Sequence, residues 1–270
     1  MKVPPHRFVI SQNIEALLYN DNRPNRMEIA DLQKGLVLEL ESKEIIEEGI
    51  GFGAPVVIYG DDVFFSKTAR IVNVGPENIT KIFQMDSISR VDFQGIIFGG
   101  FFYKKFYDIF SRHYMETNWS QAFFRMLMAL KRSLGFRTRF IAVENRGSVR
   151  VKFKFIPSKI LVNVDLTGLR TSGCKEILLL NEQGARSFNR YSDSSGTEQN
   201  VSQMGAWEEV KSKSATLEGV GVKFTIYQQH GVKLMRGREE VLGRLSWIGF
   251  AYSLQPSITE FDYAIQIGRN

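Results

Sequence analysis

The sequence predicts a mainly β protein, an antiparallel β-sandwich with a helical insertion near residues 101–135. Three observations carry this expectation. Apolar and polar residues alternate with period two through most of the 270-residue chain, the pattern of strands with one face in a core and one in water. Turn-forming residues part these segments at short intervals. The chain also holds 21 phenylalanines, bulky side chains that favour strands and fill large interiors.

The elements follow in order. Residues 36–41 read as a first strand. Segments 54–59 and 63–74, parted by Gly60-Asp61-Asp62, read as a β-hairpin. Segments 136–143 and 148–156 read as a second hairpin, because Asn145 and Gly147 between them tolerate positive φ. Further strands are expected at 159–166, 176–180, 212–217, 220–228, 243–254 and 261–267. Strands joined this closely form antiparallel sheets that pack face to face. The helical insertion rests on two segments. Phe102, Phe106, Ile109, Phe110 and His113 share one helical face. A second helix starts at a cap, Asn118, and carries Phe123, Phe124, Leu127, Met128, Leu130 and Leu134 up to Gly135. Both stripes read as core, and strand and loop is the alternative reading of the first segment. Residues 191–205 are polar and rich in serine and read as a flexible loop. With no repeat and no Pro- or Gly-rich linker, residues 1–270 are expected to form one large β-rich domain.

Composition excludes several classes. Cys174 is the only cysteine, so no internal disulfide and no cysteine-based zinc site can form. His6, His113 and His230 show no ligand spacing, so neither a metal nor a cofactor is implied. No apolar run reaches the length of a membrane-spanning helix, and no signal-peptide pattern opens the chain. A reducing cytoplasm is the expected compartment. The net charge is +6 with a pI near 9.3. Between residues 137 and 159, seven cations face the single acid Glu144, so this stretch alone accounts for the +6.

Two groups of residues suggest chemistry. Asn181, Glu182, Arg186, Asn189, Arg190, Tyr191 and Asp193 follow an apolar strand, whose end would present them to a cleft. Amide, guanidinium and phenol groups suit polyhydroxylated ligands, and Glu182 and Asp193 are the candidate acid and base. Trp207 offers a face for sugar stacking, whereas Trp247 sits in an apolar strand and reads as core. In the second group, Arg150, Lys152 and Lys154 alternate with Val149, Val151, Phe153 and Phe155. With Arg137 and Arg139 on the partner strand, they would make a five-cation stripe that attracts phosphates, sulfates or uronates. The same pattern also describes an ordinary solvated strand face. The glycines of Gly49-Ile50-Gly51-Phe52-Gly53 precede a strand rather than a helix, which favours a bulge or close packing over a nucleotide loop. His230 reads as a turn residue, able to act as an acid only if it meets Glu182, and Cys174 has no nucleophile signature around it.

Residues 51–69, from Gly-Phe-Gly-Ala-Pro-Val-Val-Ile-Tyr-Gly to Phe-Phe-Ser-Lys-Thr-Ala, and residues 177–196 resemble uncharacterised prokaryotic β-sandwich proteins of the galactose mutarotase-like supersandwich type. The resemblance implies a supersandwich fold and sugar handling, and the histidine pattern of mutarotases is not evident here. The leading function is therefore carbohydrate binding or sugar processing. The alternatives are an anion-binding module for nucleic acid or acidic polymer, and a structural or interaction protein. Neither oligomeric state nor ligand identity follows from the sequence.

Overall fold

A computed structural model of the protein describes residues 4–20, 32–41, 43–44, 50–98, 133–205, 207–219, 221–241 and 245–269. The helical insertion expected near 101–135 falls almost entirely on residues 99–132, outside the described ones.

The chain is built of strands: β1 (His6–Ser11), β2 (Ile14–Leu18), β3 (Val37–Leu40), β4 (Lys43–Glu44), β5 (Gly51–Tyr59), β6 (Asp62–Phe65), β7 (Thr68–Val72), β8 (Asn78–Gln84), β9 (Ser87–Phe93), β10 (Ile96–Phe98) and β11 (Phe136–Ala142). Then follow β12 (Ser148–Ile156), β13 (Lys159–Asp165), β14 (Cys174–Gly184), β15 (Arg190–Asp193), β16 (Glu198–Asn200), β17 (Glu208–Glu209), β18 (Ser214–Gly219), β19 (Val222–Tyr227), β20 (Lys233–Val241), β21 (Leu245–Leu254) and β22 (Glu260–Gly268). Short 3-10 turns at Ala185–Ser187 and Val201–Gln203 interrupt them.

Among the described residues all pairings are antiparallel, in three sheets. Sheet I has the order β10-β9-β6-β5-β14-β21-β20-β17, with β11 added on β9. Sheet II has the order β16-β15-β18-β19-β22-β13-β12-β8-β7. A small sheet runs β1-β2-β3-β4. Sheets I and II pack face to face as an open sandwich. Phe224 of sheet II meets Phe52 and Phe250 of sheet I edge-on, with ring centroids 5.1 and 5.6 Å away. Tyr252 of sheet I packs likewise on Phe261 and Tyr263 of sheet II. The small sheet joins the same core, where Phe8 stacks on Phe155 at 4.1 Å. Paired backbone bonds between Leu36 and Phe52 sew it to β5.

Three sequence expectations need correction. The segments read as a second hairpin are β11 and β12, which belong to different sheets: β11 pairs with β9, and β12 with β8 and β13. The turn at 143–147 is a crossing between layers. Its residues bond the bend after β8, with Val143 N–H donating to Asp86 and Arg146 N–H to Met85. Likewise the first predicted hairpin ends at β6, and β7 belongs to sheet II. The supposed flexible loop at 191–205 holds the strand pair β15-β16. Its polarity reflects an edge hairpin in which Tyr191 alone is fully buried and the neighbouring side chains stay in water. Asp193 closes the turn, accepting from Ser195 N–H and Oγ–H at 2.9 and 2.5 Å.

Candidate functional site: a polar groove on sheet II

Strand β12 alternates as the sequence predicts. Val149, Val151, Phe153 and Phe155 are buried, while Arg150, Lys152 and Lys154 point out of sheet II. The register sets their neighbours. Lys152 lies between Thr80 of β8 and Asn163 of β13, and Asn163 is followed by Asp262 of β22. One pair along, Arg150 is followed by Asp165 and then Glu260. Cross-strand pairs on one face are within contact range, so the outer face gathers these groups.

A groove of about 450 Å³ runs over this face. Three amides line it (Asn73, Asn78, Asn163), with three hydroxyls (Thr80, Thr167, Thr259), two cations (Arg150, Lys152) and two carboxylates (Asp165, Glu260). Several are fixed by one another. Asn163 Nδ2 donates to Glu260 Oε1 at 2.8 Å and to Asp262 Oδ1 at 2.9 Å. The Thr167 hydroxyl donates to Asp165 Oδ1 at 2.6 Å and holds that carboxyl below the usual carboxylate range, with further help from the Thr167 N–H and Arg150. Arg150 stands 3.6 Å from Asp165. Among the described residues no acid pairs with Lys152. The groove therefore offers charge-assisted donors and acceptors side by side, with cations and anions in balance.

The residues nominated around 181–193 are dispersed. Asn181 is fully buried in central β14 and points into the sandwich. Its Oδ1 accepts from Tyr263 Oη at 2.8 Å and from Gly53 N–H at 3.2 Å, and its Nδ2 donates to Leu179 O at 3.2 Å. It thus spans the bulge that Gly53 makes in β5, where the register shifts opposite Leu180 and Asn181. Glu182 is buried on the opposite side of β14, level with Gly51 and Gly249 of the flanking strands. Arg186 is exposed on the 3-10 turn. Arg190 is engaged with Glu198 at 2.7 Å and Glu218 at 3.8 Å. Tyr191 is buried, donates to Asp193 Oδ2 at 3.0 Å, and lies under the Arg236 guanidinium 4.0 Å from its ring centre. Burial raises the Asp193 carboxyl, but the hydrogen bonds from Ser195, Tyr191 and Thr197 outweigh it and leave the group below its ordinary value. Trp207 packs over Gly237, where a Cβ would fall 2.7 Å from the indole. The face of sheet I thus separates Glu182 from Asp193.

The basic stripe is divided. Arg150, Lys152 and Lys154 stand on sheet II, whereas Arg137 and Arg139 stand on β11 of sheet I. Arg139 Nε is bound to Asp92 at 2.7 Å. His230 lies in the β19–β20 connection, away from buried Glu182, and Cys174 is a free thiol whose pKa burial raises. His113 lies outside the described residues. Sequence reasoning missed the groove because its walls come from β8, β12, β13 and β22, which no local pattern places side by side. It also missed Lys81, fully buried, whose ammonium donates to the carbonyls of Tyr19 and Lys34 at 3.0 and 2.8 Å.

Among the described residues no cluster of His, Cys, Asp and Glu is arranged to hold a metal, and no helix is long and apolar enough to cross a membrane. No protein-family model and no curated protein matches the chain. Solved structures do. The Slr1438 protein from Synechocystis sp. PCC 6803 is 6% identical with a TM-score of 0.44, covering 100% of this chain and 97% of that one. A glycoside hydrolase family 81 protein from Clostridium thermocellum is 9% identical with a TM-score of 0.31, covering 97% of this chain and 22% of that one. A galactose mutarotase related enzyme from Lactobacillus acidophilus is 6% identical with a TM-score of 0.33, covering 98% of this chain and 97% of that one.

Proposed function

We propose that the chain binds carbohydrate and seats a neutral oligosaccharide in the groove of sheet II. The observation that carries this reading is the mixed lining. A sugar hydroxyl both donates and accepts, so its site needs both kinds of partner close together. Lys152, Arg150 and the amides of Asn73 and Asn78 supply donors, and Asp165, Glu260 and the Asn163 carbonyl oxygen supply acceptors. The threonine hydroxyls serve either way. Arg150, Lys152 and Lys154 are offset by Asp165, Glu260 and Asp262 on the same face. That balance favours an uncharged polyol over nucleic acid or a polyanion, and the division of the five-cation stripe points the same way. Glu182 and Asp193 lie on different sheets and form no acid–base pair, so the reading is of binding.

A glycan array followed by NMR titration tests it. Neutral oligosaccharides should shift the amides of residues 78–80, 150–152, 163–167 and 259–260. A variant carrying Lys152→Ala and Asn163→Ala should lose affinity about tenfold or more, as loss of two polar contacts implies. Silence toward neutral sugars at millimolar concentration overturns the reading. Strongly salt-dependent capture of nucleic acid would replace it with the anion-binding alternative.

A further inference from the structure

A second concavity, of about 620 Å³, opens at one end of the sandwich and shares no residue with the groove. The connection from β19 to β20 forms one side. Gln228 N–H donates to Lys213 O at 2.8 Å, bringing the start of β18 alongside. Lys233, at the start of β20, pairs with Ser253 of β21 on the other side. One wall thus comes from sheet II and the other from sheet I. The connection is firmly held. Gln228 Nε2 donates to Val232 O at 2.6 Å, Gln229 Nε2 donates to Tyr227 O at 3.3 Å, and the buried Tyr252 hydroxyl donates to Tyr227 O at 2.5 Å. Gly231, with φ of 76°, makes the left-handed step.

The lining has one sign of charge. Lys213 and Lys233 line it with His230, and no carboxylate does. Neither lysine has an ion-pair or hydrogen-bond partner for its ammonium among the described residues. Glu176 stands behind Ser253, whose hydroxyl donates to its carboxylate at 2.5 Å, so that its negative charge is held outside the lining. Because Gln228 and Gln229 spend their amide N–H groups on the backbone, they leave carbonyl oxygens as acceptors. Two unpaired ammonium groups across a concave site concentrate anions. Acceptor amides beside them need hydroxyl donors on the same ligand.

We infer that this cleft binds a small phosphorylated polyol, such as a sugar phosphate. The phosphate sits between Lys213 and Lys233, and the hydroxyls donate to Gln228 and Gln229. The inference does not depend on the groove of sheet II.

NMR and calorimetric titrations of the intact protein with a hexose phosphate, the same hexose, the corresponding hexuronate and inorganic phosphate test it. The hexose phosphate should shift residues 213, 228–233 and 253–255 and bind at least about tenfold more tightly than either the hexose or inorganic phosphate. The variant carrying Lys213→Glu and Lys233→Glu, both exposed sites, should lose that binding roughly a hundredfold while its melting curve and its groove signals stay unchanged. No shift at about 20 mM hexose phosphate, or binding undiminished in the variant, overturns the inference. Inorganic phosphate binding as tightly as the ester overturns the polyol part, and preference for the hexuronate overturns the phosphate part.

Discussion

Tyr263 and Asn181 form a polar contact between sheets I and II inside a largely aromatic core, where both are buried. Removing Asn181 leaves the Tyr263 hydroxyl and the Gly53 N–H buried without an acceptor. Asn181→Ala should cost about 2–4 kcal/mol, read as a lowered midpoint of urea unfolding. Tyr263→Phe, which keeps the ring and leaves Asn181 its bond to Gly53, should cost about 1 kcal/mol. Equal losses from both would show that the Tyr263–Asn181 bond carries the whole cost and that the Gly53 N–H contributes nothing. Burial also holds the phenols of Tyr191, Tyr252 and Tyr263 above their ordinary value of 10.0. The unfolded chain releases those protons first, so above pH 10 it binds fewer protons than the folded chain. Stability should therefore be whole below about pH 10 and fall as pH rises beyond it. Urea midpoints at rising alkaline pH measure the slope, and Tyr252→Phe should flatten it.

At the scale of elements, β14 is the axis of sheet I, and its neighbours are bare where they approach it. Gly249 of β21 has no room for a side chain, since a Cβ would lie 2.2 Å from the carbonyl oxygen of Asn181. Gly249→Ala must push β21 off β14 and should cost about 2–4 kcal/mol, visible as a lower melting temperature. A melting temperature unchanged from the parent would mean that β21 bends freely at this point. Most strands were legible in the sequence because period-two alternation reports one buried face, as in β12, β13 and β22. Strand pairing was not legible. Alternation is the same whether β11 joins β12 or β9, and only the contacts of residues 143–147 with the bend after β8 decide it. The β15-β16 hairpin was hidden for a related reason, since an edge strand with one inward side chain looks like loop.

For the whole molecule, the sandwich was foreseen, and of the candidate groove only Arg150 and Lys152 were. Asn181 and Glu182 were expected to face a cleft because they are polar at the end of an apolar run. They lie instead within a strand that continues to Gly184, where one bridges layers and the other is buried on the far side. A buried polar group and a ligand-facing one carry the same letter, so burial has to be known before chemistry can be assigned. Lys152 and Asn163 were each foreseen on a strand, and their convergence required the order β22-β13-β12-β8. The cleft between Lys213 and Lys233 likewise needs both layers in place.

The position of β22 bears on how this chain is made. Residues 260–268 form an inner rib of sheet II, joining β19 on one side to β13 on the other. Without that segment the layer is two unconnected leaves with raw borders, each a template for unwanted partners. Enclosure of the interior therefore hangs on β22 pairing along both its sides, which makes it a collective rather than a local event.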